Sequence, residues 1–425
     1  MSLFEKILQL KGYPIGKAKA DLIRLQSMSK DEFIHWQTEK AWQIAKLHFD
    51  NNALYKQLVG NIFPDRWEDL PVVTKKDLQL PLQQMLSSGI KLSDCHTGST
   101  SGSSGTPFFY AKDKMAHAMT WAVIADRYSW YGIDLSSKQA RFYGIPKELL
   151  ANKKEVFKDG FMNRQRFSVF DLSDKALDGF IKRFQHNAFD YIYGYTNSLV
   201  TFARHLLSKG LTLKEITPTL KICISTSETC TPEDHTILEQ AFGVPNIREY
   251  GISETCITAF DAPDGKWRLT EETLLTETLE DNRIISTSLY NMAMPMIRYE
   301  TSDVGFISNE RAGIYRSLEQ LSGRLNDTIV LPSGKKAAGL TFYYISRSVL
   351  EASGVLKEFI IRQTKLNEFV FDIVADRDLA KNEVDLVKEK ITLYLEPDLN
   401  IIINRVSKID RPLSGKLKHF YSELN

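Results

Sequence analysis

The residues best suited to chemistry stand in one short run, His96-Thr97-Gly98-Ser99-Thr100-Ser101-Gly102-Ser103-Ser104-Gly105-Thr106-Pro107. Every position from Thr97 to Thr106 is Ser, Thr or Gly. Glycines free the backbone N–H groups, and hydroxyls recur at nearly every other place. Such donors wrap a polyphosphate without setting a fixed charge against it. The same composition also describes a flexible linker. No Gly-Lys-Ser/Thr occurs in the run, which excludes a Walker-type loop, and no serine lies in G-x-S-x-G, which disfavours a serine hydrolase.

Five further pieces carry candidate groups, each with a plainer reading beside it. Tyr250-Gly251-Ile252-Ser253-Glu254 is a strand end and turn, or places Glu254 to hold Mg²⁺ on phosphates. Arg298-Tyr299-Glu300-Thr301-Ser302-Asp303 runs into Val304-Gly305: Asp303 is an ordinary turn residue, or a carboxylate accepting both ribose hydroxyls. Arg324, in Ser322-Gly323-Arg324-Leu325-Asn326-Asp327, is a surface residue or a second ribose contact. Ser225-Thr226-Ser227-Glu228 follows a buried strand and reads plainly as a helix N-cap. Lys416, in Ser414-Gly415-Lys416, stands in a Gly-bearing loop, where a lone lysine is usually solvated.

The elements that must position these groups follow from periodicity. Residues 1–60 read as helices with one buried face, and Thr74 as the cap of a helix starting at Lys75. Lys114–Tyr131 has helical spacing. Gln139–Gly144, Tyr191–Tyr193, Lys221–Ser225 and Ile247–Tyr250 read as strands. Between them Lys175–Asn187, Thr196–Lys209 and Glu233–Phe242 read as helices, the alternation of parallel α/β layers. From Lys266 to Tyr299 short strands and turns predict a small barrel-like subdomain, with a further strand at Ile314–Leu318. The last hundred residues predict an α+β lid: strands at Thr328–Leu331, Glu358–Gln363, Glu368–Ala375 and Ile401–Val406, helices at Leu340–Ala352 and Lys381–Leu395. The expected division is 1–325 and 326–425, the latter carrying Lys416.

At 425 residues the chain can bury a large core. A net charge of +1 leaves no electrostatic footprint for nucleic acid or anionic membrane. Cys95, Cys223, Cys230 and Cys256 form no C-x-x-C pair and read as buried free thiols. Neither a signal peptide nor a membrane span is evident, so a cytoplasmic location is expected.

Taken together, these pieces resemble the adenylate-forming ligase (ANL) superfamily, and within it the phenylacetate–CoA ligase-like branch with its CapK-type capsular-polysaccharide relatives. The resemblance spans nearly the whole chain. It rests on Thr100–Pro107, Tyr250–Glu254, Arg298–Asp303, Gly323–Asp327 and Ser414–Lys416, with Leu70–Leu78 ahead of the loop. It implies a two-step reaction: ATP and a carboxylic acid give an acyl-adenylate and pyrophosphate, then a nucleophile displaces AMP.

By the same resemblance, Thr100, Ser101, Gly102, Ser103, Ser104, Gly105 and Thr106 hold the β- and γ-phosphates and Glu254 places Mg²⁺. Tyr250 stacks on adenine, with Gly251 and Ser253 in its motif and the Ser227-Glu228 backbone along the base edge. Asp303 binds the ribose with Arg324, and Lys416 serves the carboxylate and α-phosphate. Asn326 or Asp327 is the hinge of a moving lid. Phe108 follows Pro107 where many relatives carry a basic residue. Cys256–Arg268 has one Cys and no His, so no zinc is expected.

The acceptor stays open between CoA or another thiol, as in the branch's thioester ligases, and an amine or hydroxyl of an amino acid or sugar, because Ile329–Ala337 looks like the CapK branch. A nucleotide-binding scaffold without ligase activity is the reading from another class. The acid pocket is expected around Trp121–Tyr131, Phe142–Ile145, Tyr193–Ser198, Ser225 and Thr226, with Arg141 as a surface ion-pair residue or a carboxylate or sugar contact.

Overall fold

A computed structural model of the chain describes residues 2–100, 108–143, 158–169, 172, 174–324, 328–334, 336–338, 356–409 and 420–424. It divides into two compact units, Met1–Thr301 with Gly305–Gln320, and Ser302–Val304 with Leu321–Asn425.

The first unit opens with helices Leu3–Leu10, Ile15–Gln26, Lys30–Asn51 and Ala53–Val59. Ser29 sets the start of the longest. Its hydroxyl accepts the Glu32 N–H while the Glu32 carboxylate accepts the Ser29 N–H, so two orphan donors of the helix end are satisfied together. Thr74 and Asp77 make the same reciprocal contact, at 2.8 and 3.3 Å. Here, contrary to expectation, only one turn follows. Val73 is tied to Tyr299 by an isolated bridge and Leu78 is pulled fully into the core, so tertiary contacts override the local helix signal.

Strands β1 (His96–Thr100) and β2 (Phe108–Lys112) form an antiparallel hairpin in which Thr100 faces Phe108. Ser101–Pro107 therefore joins the two strands at the hairpin's end and lies outside the described residues. Helix Lys114–Ser129 follows, its first N–H groups accepted by the Asp113 carboxylate.

The large sheet is built from β3 (Gln139–Phe142), β4 (Arg164–Phe167), β5 (Tyr191–Tyr195), β6 (Ile222–Thr226), β7 (Asn246–Ile252), β8 (Cys256–Asp261) and β9 (Trp267–Leu269). Their order is β4-β3-β5-β6-β7-β8-β9. The first five are parallel and the last two antiparallel. Helices Asp174–Gln185, Thr196–Ser208 and Pro232–Phe242 make the crossovers. Leu177, Phe180, Ile181 and Phe184 recur at helical spacing and meet Phe142, Phe167 and Phe202 in an aromatic core. The Phe142 and Phe167 rings stack 4.8 Å apart.

Next come β10 (Leu274–Thr278), β11 (Arg283–Ser288), β12 (Tyr299–Ile307) and β13 (Leu318–Arg324), a four-stranded sheet in that order. The strand expected at Ile314–Leu318 begins only at Leu318. Ile314 instead packs with Leu25 and Phe33, so its apolar character serves that contact.

In the second unit, β14 (Thr328–Val330) pairs with β15 (Lys336–Ala338). β16 (Leu356–Lys365), β17 (Glu368–Ala375), β18 (Asn400–Arg405) and β19 (Phe420–Ser422) form a sheet of order β18-β17-β16-β19. Helix Lys381–Tyr394 makes the β17–β18 crossover, and Val387 and Ile391 pack with Ile361, Phe369, Phe371 and Ile373. The expected helix Leu340–Ala352 lies outside the described residues. No described helix is long and apolar enough to cross a membrane.

Candidate active site

The hairpin that carries the Ser/Thr/Gly loop is anchored at both ends. Phe108, its first described residue after the loop, stacks on Tyr299, with ring centroids 6.3 Å apart and planes 15° from parallel. The Tyr299 hydroxyl donates to Glu254 Oε1 at 3.5 Å. Tyr110 lies close enough to Glu254 that burial, reinforced by this carboxylate, pushes its phenol up to about 12. Three aromatic residues thus hold Glu254 and the loop's strand in one neighbourhood.

Glu254 itself is 8 % exposed, at the β7–β8 turn. Among the described residues, Tyr299 is its one hydrogen-bond donor, which leaves Oε2 uncommitted. Magnesium in phosphate-transfer sites is held by one or two carboxylates together with substrate phosphates, so this donor set fits that ion. Among the described residues no group of three or more His, Cys, Asp and Glu is placed to hold a metal by itself.

Gly251 is required by the backbone. A Cβ there would come within 2.7 Å of the Cys256 carbonyl oxygen, where β7 and β8 slip register after Tyr250. Tyr250 is buried, its ring edge-on to Trp267 at 6.3 Å, while Ser253 is exposed. Ser227, at the end of β6, sits at φ +70°, a sparsely used region for a serine. Glu228 does not cap the helix that follows it in sequence, as its plainer reading expected. Its carboxylate accepts the Asn197 N–H at 2.8 Å, at the start of the neighbouring helix Thr196–Ser208. Thr231, with Asp234, caps the following one.

Asp303 is a buried residue of β12, in the short stretch that belongs to the second unit, and Arg324 ends β13. Lys416, the loop residues Ser101–Thr106 and the hinge candidates Asn326 and Asp327 lie outside the described residues.

A polar cluster at the carboxyl ends of the parallel strands was only partly foreseen. Arg141 is not a surface ion-pair residue. Its guanidinium lies against both Tyr143 and Tyr193, 4.1 and 4.8 Å from the centroids of rings that stack 5.7 Å apart, and donates to Gln139. The Tyr193 hydroxyl donates to Glu249 at 2.6 Å. The sequence signal was alternation: Gln139, Arg141, Tyr143 and Tyr191, Tyr193, Tyr195 place a polar or aromatic group at every second position of adjacent strands in register. In open α/β sheets this edge is where ligands bind. All four cysteines are free, but only Cys223 and Cys256 are buried, the other two being half-buried.

The base of the loop hairpin holds two stacked imidazoles, His96 and His117, 3.9 Å apart. The Trp121 indole N–H donates to His117 Nε2, which must accept and so carry no proton there. Burial pushes His96 down to about 4 and His117 to about 3, and burial likewise holds fully enclosed His48 near 4. A histidine whose folded value lies below the unfolded one stabilises the fold fully above about 6.5, and that contribution is lost as pH falls toward the folded value. The urea midpoint is therefore expected to drop between pH 7.5 and pH 5. An unchanged midpoint would contradict the neutral, buried state of these rings.

Comparison with known proteins agrees in fold. Residues 334–423 match the family model of the CapK C-terminal domain. No curated protein sequence matches the chain. Among solved structures the chain is similar to 2-hydroxyisobutyryl-CoA ligase in the postadenylation state with R3-HIB-AMP, at TM-score 0.69 and 14% identity over 94% of this chain and 92% of that one. An open conformation of the same ligase with 2-HIB-AMP and CoA gives 0.57 and 14% over 93% of each. The ATP-bound RpMatB-BxBclM chimera B3 gives 0.50 and 16% over 74% of this chain and 65% of that chain. At such identities the likeness speaks for the fold alone.

Proposed function

We propose that this chain, which has the adenylate-forming (ANL) fold and a CapK-type C-terminal domain, joins a carboxylic acid to an acceptor through an acyl-adenylate. The observation that carries the reading is the link from Phe108 through Tyr299 to Glu254. It sets a carboxylate with a free oxygen beside the strands of a Ser/Thr/Gly loop. A serine-rich linker would have no reason to be strapped to a buried acid.

On this reading the loop's N–H groups and hydroxyls, Thr100 to Thr106, take the β- and γ-phosphates. Glu254 supplies the protein ligand for Mg²⁺, an ion that neutralises phosphate charge when bound. The β6 end at Ser227-Glu228 and the Tyr250-Gly251-Ser253 segment border the base, and Asp303 and Arg324 take the ribose. Lys416 brings the cation that lets a carboxylate approach the anionic α-phosphate. The acid sits at the carboxyl edge of the sheet near Arg141, Tyr143 and Tyr193. Residues 1–325 act as the binding domain and 326–425 as the lid.

For the acceptor we put a thiol such as CoA first. The CapK match over 334–423 favours a second reading, an amine or hydroxyl of an amino acid or sugar in the tailoring of a surface polysaccharide.

Pyrophosphate release with ATP and Mg²⁺, across aryl, hydroxy, short-chain and amino acids with and without CoA, tests the reading. Release driven by one acid is expected; silence across the panel with ATP bound would turn the assignment toward a non-catalytic nucleotide-binding protein. In the same assay Glu254→Gln is expected to lower the rate at least about tenfold, with partial recovery at raised Mg²⁺, since weakened metal ligation costs roughly this much. An unchanged rate would remove Glu254 from the metal's binding set.

A further inference from the structure

Lys112, the last residue of β2, is 5 % exposed. Among the described residues no carboxylate lies within ion-pair distance of its ammonium, which faces the Tyr110 ring at 5.6 Å. An isolated charge so far from water is expensive unless something compensates it. The side chain borders a small cavity between helix Lys114–Ser129 and the start of β8, lined also by Thr120, Thr255, Cys256, Thr273 and Ser288. The hydroxyls of Thr255 and Thr273 are buried there with no hydrogen-bond partner. Orphaned buried hydroxyls are uncommon, and each calls for an unseen acceptor or donor. A buried cation and two unused O–H donors therefore converge on one space.

We propose that this cavity is a binding site for one small monovalent anion, a halide or a carboxylate the size of formate, held by Lys112 with the Thr255 and Thr273 hydroxyls. Size and charge both set that class. The cavity gives the centre of a water-sized molecule about 10 Å³ in which to lie, enough for a single small ion and too little for an aryl ring or a phosphate. One ammonium balances one negative charge. Burial by itself pushes the Lys112 amine down, and nearby Cys256 and Glu254 offset this only in part, so an anion in contact would restore the charged form. The site needs no nucleotide, so its test does not depend on ligase activity.

The test is thermal unfolding of the full chain as chloride or formate replaces gluconate at constant ionic strength, gluconate being too large to enter. A saturable rise in midpoint is expected with at least one of the two ions. Lys112→Met should abolish it, and Thr273→Val, which keeps the volume and removes one donor, should weaken the apparent affinity at least tenfold. Crystals soaked in bromide should show an anomalous peak within hydrogen-bond reach of Lys112 Nζ. Should Lys112→Met fail to fold, Thr273→Val and the bromide peak decide the matter. The same ion response in wild type and both variants, or density for water alone, would overturn the site.

Discussion

Replacing Lys416 by alanine is expected to lower acyl-adenylate formation roughly 10²- to 10³-fold while ATP still binds, the loss that follows removal of one pre-placed group from a transition state gathering charge. The proposed reaction requires a carboxylate to attack an α-phosphate that is itself anionic. Both partners repel until a cation is placed between them, and the repulsion is largest in the pentavalent transition state. On the proposed reading the loop donors and the metal serve the outer phosphates, which leaves the attacking oxygen and the α-phosphate to a side chain. Lys416 stands in Ser414-Gly415-Lys416, inside the segment 334–423 that matches the CapK C-terminal domain. Pyrophosphate release and displacement of a fluorescent ATP analogue, measured on the same preparation, separate chemistry from binding. Near-normal pyrophosphate release would take the role away from Lys416. Lys416→Arg provides the control, since arginine keeps the charge but presents a planar fork in place of a point ammonium.

The largest expected effect on stability belongs to a buried ion pair of the first unit. Arg127 is fully buried and donates to both oxygens of Glu272, at 2.9 and 2.8 Å, and to Asp126 at 2.6 Å. Its guanidinium also faces the Trp130 ring at 4.6 Å. Glu272, equally buried, accepts the Tyr315 hydroxyl at 2.7 Å. Burial pushes the Glu272 carboxyl up, but Arg127 outweighs it and the net direction is down. This contribution is present above the ordinary glutamate range and is lost as pH falls through the folded value.

Arg127→Leu strands a buried carboxylate and is expected to cost about 3–5 kcal/mol. Arg127→Leu with Glu272→Met removes both charges, and most of the loss should return. All six tryptophans, at positions 36, 42, 67, 121, 130 and 267, lie in the first unit, so their fluorescence in urea reports this unit alone. A double variant no more stable than the single one would mean that packing around Trp130, and not charge pairing, dominates.

The sequence was most readable where a single periodicity governed a whole element. From Gln139 to Ile252 the expected strands and crossover helices stand within a few residues of their limits, because apolar strands and amphipathic helices there are punctuated by turns; β4, whose four residues carry two arginines and a glutamine, was not expected as a strand. Legibility failed where local chemistry pointed one way and tertiary contacts another. Thr74 and Asp77 make a true capping pair, yet Leu78 is drawn inward after one turn. Ile314 looks like a strand residue because it is apolar, but it serves a contact with Phe33.

In the candidate site, Glu254 and Gly251 stood out in one short motif. The partners that hold Glu254 did not, since Phe108 and Tyr299 are nearly two hundred residues apart in the chain and no local pattern links them. Lys112 was likewise invisible: a lysine at a strand end looks solvated until the helix over it is in place.

The outer position of β4 in the large sheet has one more consequence. A parallel sheet gathered from distant segments assembles slowly, and its unfinished rim can template another chain. Among the described residues β4 closes that rim, and it is short, Arg164-Gln165-Arg166-Phe167, with both arginines bonded to the Asp159 carboxylate. Charge on a short outer strand discourages further strands from adding. The arginines of β4 thus make the finished rim of the sheet a poor template for a strand from another molecule.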